Sequence, residues 1–157
     1  MTTMLIDTEH RTPGLPADLR QHVGERALIE LALDAVQTVC ERLPRPLEAQ
    51  GRHSPQMLLT LLTYCYAAGI YGSEDIEDDC RNDAATRYLC ASTSPDQETI
   101  RNFRRANRLR IEDCLALVYR SACDVAPAQM SRGTADLAGF VRRRLELAIM
   151  FDMAMCD

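Results

Sequence analysis

At 157 residues, with 46% hydrophobic and 26% charged side chains, the chain has the size and apolar content of one globular domain, which excludes a wholly disordered polypeptide. Seven Gly and 7 Pro argue against a fibrous chain, and 5% aromatics without Trp argue against an all-β sandwich; Ala, Leu, Arg and Glu dominate and read as helical. The net charge of −5 speaks against a coat for nucleic acid, yet it is uneven: residues 1–80 hold 6 Arg against 13 acids, 81–120 hold 8 against 5, and 121–157 hold 4 against 5.

Residues 1–20 contain Pro13, Gly14 and Pro16, lack the apolar stretch of a signal peptide, and read as a flexible arm. From Gln21 to Leu43, Val23, Ala27, Leu28, Leu31, Ala32, Ala35, Val36, Val39 and Cys40 recur at three- and four-residue steps, one apolar helix face. Pro44 and Pro46 stop that helix. After a linker over 45–53, Ser54-Pro55 is a helix start, with Ser54 as N-cap and Pro55 in the first position. The apolar run Met57–Tyr71 contains Thr60 and Thr63 and falls short of the ~20 residues of a membrane span, so it is read as a buried core helix ending near Ile70.

Gly72 breaks the chain, and Ser73 is expected to cap a short helix to about Arg81 whose first turn holds Glu74, Asp75 and Glu77. Asp83 is expected to cap a second short helix ending near Leu89. Ser94 and Gln97 form a capping-box pattern around Pro95, opening a helix expected to run unbroken to about Tyr119. Pro127 and Gly133 flank a further break, and 134–155 reads as a last helix carrying Arg142-Arg143-Arg144. The expected organisation is an arm (1–20), an all-α compact multi-helix domain (21–126) and a C-terminal helix (127–157).

At 100° per residue, Arg101, Arg104, Arg105 and Arg108 fall within an arc of about 100°, with Phe103, Ala106 and Leu109 assigned to the opposite, apolar side. Guanidinium groups spaced along two turns suit phosphate and guanine edges, and their mutual repulsion calls for a nearby anion. The plainer reading is a solvated face paired with Glu98, Glu112 or the acids at 74–79. All 18 cations are Arg, which suits bidentate contacts but follows equally from the base composition of the gene.

No catalytic or metal site is legible. Cys40, Cys65, Cys80, Cys90, Cys114, Cys123 and Cys156 form no C-x-x-C pair and have no His at zinc spacing, so they read as reduced, small core side chains. Glu74, Asp75, Glu77, Asp78 and Asp79 lack the ligand alternation of a calcium loop. His10, His22 and His53 stand outside any nucleophile motif, and no Gly-rich phosphate loop is present. No cofactor is implied.

An ordered series of motifs adds to this reading: His53-Ser54-Pro55-Gln56-Met57-Leu58-Leu59, Tyr64-x-Tyr66-x-x-Gly69-Ile70-Tyr71, Ser73-x-x-Ile76-Glu77 and Ser94-Pro95-Asp96-x-x-Thr99-Ile100-x-x-Phe103-Arg104. Over about residues 50–112 this series resembles the InsH-type N-terminal domain of bacterial insertion-sequence transposases, which precedes a DDE catalytic domain. The resemblance implies a cytoplasmic, nucleoid-associated helical module that recognises the terminal inverted repeats of a mobile element in double-stranded DNA, through a helix-turn-helix-like unit. Together with the Arg stripe, it gives Thr99, Arg101, Asn102, Arg104, Arg105 and Arg108 as candidate DNA contacts.

The family's three catalytic carboxylates belong to a separate RNase-H-like domain. Where the family often continues into Asp-Gly-Thr, this chain reads Arg132-Gly133-Thr134, so the expectation is a truncated, non-catalytic chain. Glu74 stands where the family often has Arg. The competing reading is a protein-interaction module: Leu137, Val141, Leu145, Ala148, Ile149 and Met153 would form a seam for a homo-oligomer or for docking on a full-length transposase. A metal-dependent nuclease has only the acids at 74–79 in its favour.

Overall fold

The computed structural model describes residues 16–42, 46–48, 51–126 and 136–155, with side chains to Met153. The described residues form eight helices and no strand: α1 (Arg20–Val23), α2 (Glu25–Arg42), α3 (Pro55–Ala67), α4 (Ser73–Asn82), α5 (Ala84–Leu89), α6 (Gln97–Ala106), α7 (Arg108–Val125) and α8 (Leu137–Met155). The fold is all-α, as expected.

The centre is α3. Every residue from Leu58 to Ala67 is buried, because α2, α5, α6, α7 and α8 all pack against it. A helix enclosed on all sides has no use for a polar stripe, which is why its sequence is apolar all round. Its two threonines are tolerated because each hydroxyl donates to the carbonyl one turn back, Thr60 to Gln56 at 2.9 Å and Thr63 to Leu59 at 2.7 Å. Ser54 caps the start by accepting from the Met57 amide at 3.4 Å. At the other end Gly69 takes a positive φ of 81°. The amides of Gly69 and Ile70 then return to the carbonyls of Tyr66 and Cys65, which ends the helix before Ile70.

Several sequence expectations shift. The helix expected from Gln21 is two helices, broken at Gly24, whose φ of 91° only glycine adopts without strain. Residues 1–15 of the expected arm lie outside the described residues, but its last part is docked. Leu19 is fully buried and its amide donates to Ala67 at 3.0 Å, while the Tyr119 hydroxyl donates to the Pro16 carbonyl at 3.4 Å. Ser73 is not a cap but the first residue of α4, after Gly72. The expected capping box at Ser94 is replaced by Asp96, which accepts from the Thr99 amide at 2.8 Å; Ser94 sits at φ 46°, where an N-cap residue is extended. Asp83 caps α5 as expected, accepting from the Thr86 amide at 3.1 Å.

The apolar seam of α8 is spent within the chain. Leu137, Val141, Leu145 and Ala148 are buried against the body, and α8 packs on α3, α4 and α7. Phe140 meets the Tyr119 ring edge-on at a centroid distance of 5.1 Å. Arg144 lies 4.3 Å over the Phe140 ring and donates to the Tyr71 hydroxyl at 2.8 Å, so the run Arg142–Arg144 is not one solvated patch. Four residues of the seam expected to bind a partner are therefore covered, while Ile149 is half-buried and Met153 exposed. Cys65, Cys80, Cys90 and Cys114 are buried free thiols; burial pushes Cys114 up to about 12, which keeps it protonated and inert. Cys156 lies outside the described residues.

Candidate functional site

The expected stripe occupies two helices, not one. Asn107 interrupts the helix at φ −123°, ψ 27°, so α6 ends at Ala106 and α7 begins at Arg108. The interruption has a visible function. The Asn107 side chain accepts from the Glu48 amide at 3.1 Å and donates to the Glu48 carbonyl at 3.3 Å, clamping the incoming segment Pro46–Glu48. It also donates to the Phe103 carbonyl at 3.1 Å, which already accepts the Asn107 amide at 2.9 Å, so Asn107 bonds that acceptor twice.

This elbow redistributes the stripe. Ile100 and Phe103 are fully buried and anchor α6. Arg105 is exposed, Arg101, Thr99 and Asn102 are partly exposed, and Arg108 is partly exposed at the start of α7. Arg101 holds Gln97 at 3.0 Å, Arg105 holds Asn102 at 3.4 Å, and Arg108 holds Glu112 at 3.5 Å, each a local contact that leaves donors to spare. The hydrogen bonds from Thr99, side chain and backbone, hold the Asp96 carboxyl below the usual range, so the cap is charged at neutral pH.

Arg104 departs from the expected face. It is 6% exposed, and its guanidinium meets the Asp152 carboxylate of α8 at 2.6 Å. Ser73 completes the group: its amide donates to one Asp152 oxygen at 2.8 Å, its hydroxyl to the other at 2.8 Å, and Arg104 donates to that hydroxyl at 3.4 Å. Burial works against the Arg104 cation, but Tyr66 and Asp152 more than offset it and keep the side chain charged. Thus the α4 N-terminus is capped by a carboxylate from a helix seventy-nine positions later in the chain. The reason the wheel misplaced Arg104 is that the buried arc of α6 includes it along with Ile100 and Phe103. Leu109, assigned to the apolar side, is 76% exposed, and Ala106 is exposed as well; at 100° per residue Leu109 lies only about 40° from Arg105, so it belongs to the outer side.

Arg105, Arg108 and Arg110 line a cleft of about 560 Å³ with Pro46, Leu47, Glu48, Ala106, Asn107 and Leu109. Three guanidinium-bearing residues around one concave elbow make an anion-attracting surface. Arg110, which the stripe did not include, is the candidate that the sequence reading missed; an unbroken wheel hid it. Asp152 was also missed, although one acid inside the apolar stretch Leu147–Met153 is a signal of a buried partner. Among the described residues no group of three or more His, Cys, Asp or Glu could hold a metal ion, and Glu74, Asp75, Glu77, Asp78 and Asp79 lie along α4. No helix among the described residues is long and apolar enough to cross a membrane.

A family model described as a transposase domain (DUF772) matches residues 19–106. No curated protein and no solved structure matches the chain. The matched stretch runs from Leu19 through the last residue of α6.

Proposed function

The chain belongs to the transposase domain (DUF772) family, and on that premise we propose that it is a non-catalytic DNA-binding module that recognises the terminal inverted repeats of a mobile element. The observation that carries the reading is the elbow between α6 and α7, where Arg105, Arg108 and Arg110 surround one cleft. In this reading Arg101 and Arg105 contact the duplex from α6 and Arg108 from the start of α7. Thr99 and Asn102 add neutral hydrogen-bonding groups on the same outer side. Phosphate contacts from the guanidinium groups would set the register, and base-edge contacts would supply sequence preference. A helix-turn-helix-like use of α4 and α6, with α6 leading into the major groove, belongs to the same proposal, as do a cytoplasmic, nucleoid-associated location and residues 21–126 as the binding unit. Arg104 contributes by fixing α6 on the body.

The test is fluorescence anisotropy of the chain against random duplex and against inverted-repeat ends at two salt concentrations. Binding that prefers the ends, and whose log affinity falls with log salt by about 0.9 for each phosphate contacted, supports the reading. Equal affinity for both duplexes would remove the repeat-recognition part. A second reading, a surface for a homo-oligomer or a full-length transposase, is favoured by the last turn of α8, where Met150, Phe151 and Met153 are 61%, 45% and 67% exposed. Binding there would be insensitive to salt.

A further inference from the structure

We propose that Ser73, Arg104 and Tyr66 form an oxyanion site for a phosphodiester, which Asp152 fills from within the chain. The site has a helix N-terminus, a hydroxyl and a guanidinium converging on one carboxylate, with distances of 2.6–2.8 Å to its two oxygens. These are the donor types that bind phosphate oxygens elsewhere. A carboxylate does not use them all. The Tyr66 hydroxyl is fully buried beside Arg104, which can only donate to it, and among the described residues its own proton meets no acceptor. A phosphodiester carries more acceptor oxygens than a carboxylate and offers that hydroxyl one.

Two observations point to an exchangeable occupant. First, near the end of α8 Asp152 is buried while its neighbours Met150, Phe151 and Met153 are exposed, and Phe151 meets Tyr71 in a tilted pair 5.9 Å apart. Second, both Ser73 and Arg104 fall within the family-matched stretch, whereas Asp152 does not. Glu74 and Asp75 in the first turn of α4 add negative charge at the rim, which favours a singly charged phosphodiester over a phosphate dianion. Lifting the last turn of α8 would present Arg104 beside Arg101 and Arg105, so that α8 competes with DNA for α6. That extension rests on the DNA-binding reading; the anion site does not.

The experiment uses the full chain as wild type, Asp152→Asn, Asp152→Asn with Arg104→Gln, and Glu146→Gln as a control for charge on α8. Dimethyl phosphate is the isolated phosphodiester, compared with chloride at equal ionic strength. In Asp152→Asn it is expected to shift the Ser73 amide resonance saturably, and in wild type to speed amide exchange at Phe151–Met153. Duplex affinity of Asp152→Asn is expected to rise about tenfold, the worth of one charge-assisted contact, with a salt slope steeper by about 0.9. Neither change should occur in Glu146→Gln or survive Arg104→Gln. A Ser73 shift with no duplex binding by any variant keeps the site and removes the DNA reading. The proposal is overturned if dimethyl phosphate affects neither Ser73 in a folded Asp152→Asn nor α8 exchange in wild type. An equal gain in Glu146→Gln overturns the competition with DNA.

Discussion

The inner and outer sides of α6 carry the same residue type to different ends. On the inner side Arg104 is closed off by Asp152, Ser73 and Tyr66 beside Phe103 and Ile100. On the outer side Arg101 and Arg105 bond to Gln97 and Asn102 of their own helix. One step in register therefore separates a cation that organises the fold from cations available to a polyanion. A charged run is thus not one functional unit: burial and the partner met by each head group decide its role.

The comparison breaks most severely at its inner side. Arg104→Ala leaves the buried Asp152 carboxylate uncompensated and is expected to cost about 3–5 kcal/mol in urea unfolding. Replacing both charges by apolar residues of similar volume, as in Arg104→Met with Asp152→Leu, should recover most of that loss; no recovery would mean that the packing around Arg104, rather than its charge, is what α6 requires. Asn107→Ala is next, because it removes both bonds to the Glu48 backbone, each worth about 0.5–1.5 kcal/mol; faster amide exchange at Glu48 is expected with that loss. Asp96→Ala should cost about 1 kcal/mol through the lost N-cap.

The same cap gives a pH prediction. The folded Asp96 carboxyl is held below its unfolded value, so its contribution is present above about pH 4 and is lost as pH falls through the folded value. Exchange protection of the Thr99 amide should therefore stay level from neutrality to pH 5 and decline only in stronger acid. A decline centred near pH 6 would assign the effect to another group. The outer side shows the smallest stability effect: Arg101→Ala or Arg105→Ala should move unfolding by no more than about 0.5 kcal/mol.

Much of the architecture was legible because it depends on local signals. The Ser54-Pro55 start, the all-round apolar α3 and the Asp83 cap each follow from a few adjacent residues, and the structure keeps all three. The ordered motifs likewise led to the transposase domain family. The misplacements have a common cause in long-range packing. Asn107 breaks α6 from α7 because its side chain is engaged by Glu48, fifty-nine positions earlier, and no periodicity within 95–119 encodes that. Ser73 lost its expected capping role to Asp152, and Arg104 left the stripe for the same partner. The seam of α8 was correctly read as apolar, but periodicity does not tell whether such a face meets its own chain or another.

The central claim is that the outer guanidinium groups serve binding and not folding. It is tested most directly by measuring the unfolding midpoint and the duplex affinity of Arg101→Ala/Arg105→Ala/Arg108→Ala on the same samples. The account predicts a midpoint close to wild type together with loss of salt-sensitive duplex binding. A variant that unfolds as easily as Arg104→Ala, or that binds duplex as tightly as wild type, would contradict it.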